Sequence, residues 1–171
     1  MKKIIAFSVL CVAFAASSFA QHVNKLSPPD SVENNLVSIK YAQPSIRGRK
    51  IFGNDTTFLV PFGKVWRTGA DSATHLLVKK DIMFGGKLLK TGYYSLFTIP
   101  NENEWTIIVN GEPKQWGAYT YEKNKDKDVL SVKAKATTLP SSQEKFSISL
   151  EGNYIVLRWD TTEVKIKIKK A

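Results

Sequence analysis

Residues 60–75, VPFGKVWRTGADSATH, gather most of what this chain could use for chemistry. The stretch holds Trp66, Arg67, Asp71 and His75, the last being one of two histidines in the sequence. An imidazole here could act as a general base with Asp71 as its acid-base partner. Trp66 and Arg67 would instead stack on a planar ligand and pair with an anion. The two readings lead to different proteins, a hydrolase and a binding module.

Elimination narrows the catalytic reading. A catalytic zinc needs three protein ligands, and the second histidine, His22, lies in a polar amino-terminal stretch, so no metal site is expected. The single cysteine, Cys11, sits in an apolar amino-terminal run, which removes cysteine nucleophiles and disulfides from the rest of the chain. A serine triad would depend on His75, and no G-x-S-x-G pattern accompanies it. Among the acids, Glu102, Glu104, Asp126 and Asp128 fall in turns beside Asn and Lys, and the lysines of NKDKD argue against a calcium loop. Asp71, in TGADSAT, suits an Asx-type turn. Catalytic residues are thus expected to be none, with Asp71 and His75 as the alternative, and no cofactor is implied.

Aromatic residues beside cations recur more often. Trp66 adjoins Arg67, Tyr41 precedes Arg47 and Arg49, and KQWGAYTYE carries Trp116, Tyr119 and Tyr121. Such neighbours can stack on sugars and pair with anions. The alternative for Trp66 and Trp116 is packing in a core or anchoring of a loop. Trp105 and Trp159 fit strand patterns and are expected in the core.

These residues must be positioned by strands. LVSIKYA at 36–42, ATHLLVKK at 73–80, YYSLFTIP at 93–100 and WTIIVN at 105–110 are short, β-branched and aromatic, and are bounded by Gly, Pro or Asn. The carboxyl third adds strands over 129–136, 145–151, 154–160 and 163–170, with loops at 122–128 and 137–143. In the last strand Val164, Ile166 and Ile168 alternate with Lys165, Lys167 and Lys169, as in a half-buried antiparallel or edge strand. FGGKLLKTG and EGN read as hairpin connections. Gly92 stands two residues before Tyr94, a spacing compatible with a tyrosine corner, which would send Tyr93 to the opposite face. The expected fold is all-β: a single-domain antiparallel β-sandwich, Ig-like or jelly-roll-like, of about eight to ten strands.

The amino terminus sets the context. Lys2 and Lys3 precede an apolar run over residues 4–16 and then Ser18-Phe19-Ala20, a secretory signal peptide over residues 1–20. The run is shorter than the ~20 residues of a transmembrane helix, so no membrane span is expected. A polar leader with Pro28-Pro29 occupies residues 21–35 and the sandwich domain residues 36–171. The protein is expected to be exported to the periplasm or the medium, where stability rests on a packed core without disulfides. The net charge is +10. Export makes anionic envelope polymers or lipid headgroups better partners for that charge than nucleic acid, and a lysine coat that keeps a β protein soluble is the favoured explanation.

Five ordered blocks then carry a resemblance: QPSIRGRKIFG (43–53), LVPFGKVWRTGADSAT (59–74), GGKLLKTGYYSLFTIP (85–100), EWTIIVN (104–110) and KQWGAY (114–119). They resemble the domain of unknown function 2911 family, exported proteins of Bacteroidota-type bacteria with no assigned activity. The resemblance implies that Arg47, Gly48 and Arg49, then Pro61, Gly63, Trp66, Arg67, Gly69, Ala70 and Asp71, then Trp116, Gly117 and Tyr119 belong to shared blocks. His75 falls outside them. The functional expectation is a non-catalytic cell-envelope module binding a glycan or other anionic ligand through Arg49, Trp66, Arg67, Trp116 and Tyr119. A hydrolase acting on an envelope polymer or ester, and a purely structural envelope domain, are the alternatives.

Overall fold

A computed structural model describes residues 26–171. The expected signal peptide and the start of the leader lie outside the described residues. Eleven strands follow in chain order: β1 (Pro29–Glu33), β2 (Val37–Ala42), β3 (Phe52–Gly53), β4 (Val60–Pro61), β5 (Thr74–Val78), β6 (Ile82–Phe84), β7 (Lys87–Leu89), β8 (Gly92–Ile99), β9 (Glu104–Asn110), β10 (Asp128–Glu151) and β11 (Tyr154–Lys170). Nine of them form one antiparallel sheet in the order β1-β2-β5-β8-β9-β10-β11-β6-β7, and β3 and β4 form a small parallel pair.

The long strand β10 makes this sheet into two layers. Its first part pairs with β9 from Asp128 to Lys135, and its remainder pairs with β11 from Ala136 to Glu151. One layer thus contains β1-β2-β5-β8-β9 and the start of β10, and the other contains the end of β10 with β11-β6-β7. Val37, Ile39, Leu76, Leu96 and Ile107 from the first layer share one buried cluster with Phe146, Ile155, Leu157, Ile166 and Ile168 from the second. Alternation explains the division: Val164, Ile166 and Ile168 are at most 2% exposed, while Lys165, Lys167 and Lys169 face water.

Four expectations are corrected: residues 154–160 and 163–170 are one strand, β11, and Lys87–Leu89, inside the expected connection FGGKLLKTG, form β7. Residues 137–143 are part of β10 and not a loop, although the pairing is broken there: residues 139–142 stand opposite Thr161 alone. Pro140 has no N–H to give a ladder, so a bulge is the form in which a strand can carry it. The leader likewise contains β1, which pairs with β2 at the sheet edge. Pro29 is the first residue of that edge strand, where its missing donor costs little. The Tyr41 hydroxyl donates to Asp30 at 2.6 Å and accepts the Ile148 N–H at 3.0 Å, tying β1, β2 and β10 together.

Other expectations are met in detail. Tyr94 donates its hydroxyl to the Lys90 carbonyl at 3.0 Å, and Tyr93 projects to the other side, 70% exposed. Gly85 and Gly86 turn the β6-β7 hairpin and Gly152 the β10-β11 hairpin, all at positive φ. The charged stretch 122–128 folds into short 3-10 turns, Tyr121–Lys123 and Lys125–Lys127.

Aromatic rings fill one end of the core. Trp66 stacks on Trp159 with centroids 5.6 Å apart and meets Phe146 and Trp105 edge-on at 5.0 and 6.1 Å. Phe52, on β3, packs edge-on against Trp66, Trp105 and Trp159. Truncation of Trp66 to Ala would leave a cavity shared by several rings, and the expected loss is about 3–5 kcal/mol, measurable by urea unfolding.

On β11, Arg158 bonds Glu151 through both terminal nitrogens and Glu163 through Nε at 2.6 Å. These hydrogen bonds, aided by Ser149, hold the Glu151 carboxyl at about 2. Burial pushes Glu163 up, but Lys165 and Arg158 outweigh it and leave it lowered. A depressed carboxyl contributes stability that is fully present above its ordinary value of 4.5 and is lost as pH falls toward 2. Urea titrations across that window should show unfolding free energy falling with pH, and Arg158→Gln should flatten the slope. An unchanged slope would contradict this assignment.

Candidate functional site

The loop between β4 and β5 is held by backbone bonds made almost residue by residue. The N–H of Trp66 donates to the Thr98 carbonyl at 2.7 Å and the Thr98 N–H returns the bond at 2.9 Å. The Trp66 indole donates to the Gly69 carbonyl at 3.0 Å, closing the loop on itself. The Thr74 hydroxyl donates to the Thr68 carbonyl at 2.6 Å, and the Ala70 N–H to the Ala42 carbonyl at 3.1 Å. Gly69 lies so close to β2 that an added Cβ would stand 3.0 Å from the Ala42 oxygen.

This density of contacts supports an unfavourable backbone. Thr68 and Asp71 adopt φ of 54° and 58°, in the left-handed region that costs a non-glycine residue about 1–3 kcal/mol. The carboxylate of Asp71 accepts the Ser27 N–H at 2.9 Å, and its carbonyl accepts the Gly117 N–H at 3.0 Å. The expected local Asx turn is therefore corrected: the side chain anchors the amino-terminal segment, 44 residues away.

The loop forms one wall of a cavity of about 320 Å³. Arg49, Lys64 and Arg67 line it together with Trp66, Trp159 and Asp71. Among the described residues, none of these three cations takes part in an ion pair. Arg49 is fixed without a carboxylate, donating Nε to the Ile46 carbonyl at 3.0 Å and Nη2 to the Ser45 carbonyl at 2.6 Å. Arg67 is more demanding, because its Nε is buried and has no hydrogen-bond partner. A guanidinium donor removed from water and left unpaired is costly.

The structure brings together three of the residues expected to bind a ligand and separates the others. Arg49, Trp66 and Arg67 line the cavity. Trp66 does so as a core residue, 7% exposed, so packing accounts for most of its surface. Trp116 and Tyr119 are 52% and 69% exposed and stand outside the lining, although Ala118 between them contributes to it. Lys64 and Trp159 were not singled out for the site by sequence reasoning. The signal for Lys64 was its place in GKVWR, two residues from the aromatic anchor. Trp159 follows an ordinary strand alternation, and nothing local marks it as reaching a cavity.

Asp71 and His75 are set apart in the fold. Asp71 lines the arginine cavity, whereas His75, on β5, lines two other concavities on the outer side of the sheet, and no hydrogen bond joins the two side chains. Burial, then Lys114 and Lys40, push the His75 imidazole below its ordinary value. Among the described residues there is no cluster of three His, Cys, Asp or Glu that could hold a metal ion, and no helix long and apolar enough to cross a membrane.

No curated protein and no solved structure matches the chain significantly. A family model does match, described as a protein of unknown function (DUF2911), over residues 24–168. That span takes in β1 to β10, all but the last two residues of β11 and every residue lining the cavity, and the chain belongs to the DUF2911 family.

Proposed function

We propose that this protein is a non-catalytic binding module of the cell envelope that holds an anionic ligand in the Arg49–Lys64–Arg67 cavity. The observation that carries this reading is the convergence of three cations, Arg49, Lys64 and Arg67, on one cavity with no ion pair to any described carboxylate. Arginine stays charged at any working pH and presents its donors in a planar fork, which suits a carboxylate, a phosphate or the acid group of a glycan. Arg49 is pinned by two carbonyls, so little of its freedom remains to be lost on binding. The volume lies at the small end for ligand sites and fits one anionic group with a short attached body.

The setting in the envelope rests on the amino-terminal sequence: two lysines, an apolar run and small residues at the expected cleavage point. The hydrolase alternative loses support because Asp71 and His75 serve separate concavities. A purely structural role for Arg67 would require a partner for its charge, and among the described residues it has no ion pair.

Calorimetric titration with inorganic phosphate, glucuronate and uncharged glucose should separate these readings. At least one anion should bind, its affinity should fall with added salt, and glucose should not compete. Arg67→Met should weaken binding at least tenfold while leaving stability equal or slightly higher, because it removes an uncompensated buried donor. Loss of stability by roughly 2 kcal/mol or more in Arg67→Met, with no anion bound by the wild type, would assign the arginine a structural role instead.

A further inference from the structure

Asp71 is the only acid among the described residues that line the arginine cavity. Its carboxylate accepts the Ser27 N–H at 2.9 Å, and Ser27 lines the cavity as well, which places that carboxylate at the cavity wall. Three cations share the lining, yet none of Arg49, Lys64 and Arg67 forms an ion pair with it. Opposite charges that face one small space without touching are both left available to a third molecule.

The charge of Asp71 is also more than its structural duties require. The first duty is its backbone conformation, with φ of 58°, which asparagine adopts as readily as aspartate. The second is the bond from Ser27, which an amide oxygen would accept as well. The bond from the Gly117 N–H goes to the carbonyl of Asp71 and is independent of the side chain. Ser27 occupies one carboxylate oxygen, Oδ2, and Oδ1 has no hydrogen-bond partner among the described residues.

We propose that Asp71 receives an ammonium group of the ligand, so that the cavity takes a small molecule carrying both an amine and one or more acid groups. An acidic amino acid and a phosphorylated amino sugar share that chemistry. The acid groups meet Arg49, Lys64 and Arg67, and the ammonium meets Oδ1 of Asp71. A cavity of about 320 Å³ has room for either body. This inference rests on the anion-binding reading of the cavity and narrows it.

The test uses two matched pairs that differ in the amine: glutamate against glutarate, and glucosamine-6-phosphate against glucose-6-phosphate. Each is titrated calorimetrically at about pH 6, where amines are charged and carboxylates are ionised. The cations alone would favour glutarate and glucose-6-phosphate, because each carries the larger net negative charge. A carboxylate that meets the ammonium reverses that order. At least one amine-bearing member should therefore bind about fivefold or more tighter than its counterpart, the scale of one partly screened ion pair. The pair that responds identifies the body, amino acid or sugar. Asp71→Asn keeps the backbone and the Ser27 bond, so its thermal melt should match the wild type, and it should restore the order that the cations dictate. The proposal is overturned if the amine-free member binds as tightly or more tightly in both pairs, which is what an Asp71 that only balances its cationic neighbours would give. A preference for the amine that survives in Asp71→Asn would overturn it too. Binding of inorganic phosphate or glucuronate with no preference for an amine removes this proposal and leaves the anion site standing, whereas no binding by any of these anions removes both.

Discussion

The indole of Trp66 connects the core of this protein to its candidate site. Its face lies against Trp159 from the second layer, its edge against Phe146 and Trp105, and its N–H reaches the carbonyl of Gly69 in its own loop. The packing of the rings fixes where the loop starts, and the hydrogen bond fixes how it returns. Arg67 is the next residue in the chain, so its position is inherited from the indole. A residue with a large apolar surface and one donor suits this double role, since burial supplies the energy and the donor supplies the direction.

What the indole begins, the backbone completes. Thr68 and Asp71 sit in conformations that a free chain would avoid, and such positions persist only where neighbouring contacts over-determine them. Those contacts come from four places: Ala42 on β2, Thr98 on β8, Gln115 and Gly117 after β9, and Ser27 before β1. The loop is thus a junction of remote segments, and it could not be assembled from its own sequence. This also explains why the same stretch looks catalytic when read alone. Gly, Pro, Asp and an aromatic residue in close succession are what a heavily constrained turn needs, whether or not it reacts.

How much could be read in advance follows from the range of each interaction. Alternating runs such as VKIKIK declare a strand and its buried face through neighbours two apart, and Tyr94 declares its corner through a carbonyl four residues back. Those features were legible. The continuity of β10 through Pro140 was not, because it depends on β11 tolerating a bulge opposite Thr161. Nor was β1, whose edge strand is held by pairing with β2 and by the Asp30–Tyr41 bond. For the site, residue type identified Arg49 and Arg67, but the company they keep is tertiary. Trp66 serves the core more than the surface, Trp116 and Tyr119 lie off the cavity, and Lys64 and Trp159 join it from positions that no local pattern distinguishes.

The treatment of the arginines bears most directly on function. A chain with 25 basic and 15 acidic residues must leave many cations without acidic partners, so an unpaired lysine at the surface carries no message. Arg158 shows that this fold can neutralise a guanidinium where it chooses, with Glu151 and Glu163 converging on one side chain that is 23% exposed. Arg67 receives no such treatment, although its Nε is buried and Asp71 lines the same cavity. Asp71 is instead committed to the Ser27 N–H. Arg67 is only half-buried, so the charge of its guanidinium remains open to the cavity while its Nε is turned into the protein. An anion in the cavity would meet the accessible side of that guanidinium together with Arg49 and Lys64, cations that no acid among the described residues neutralises.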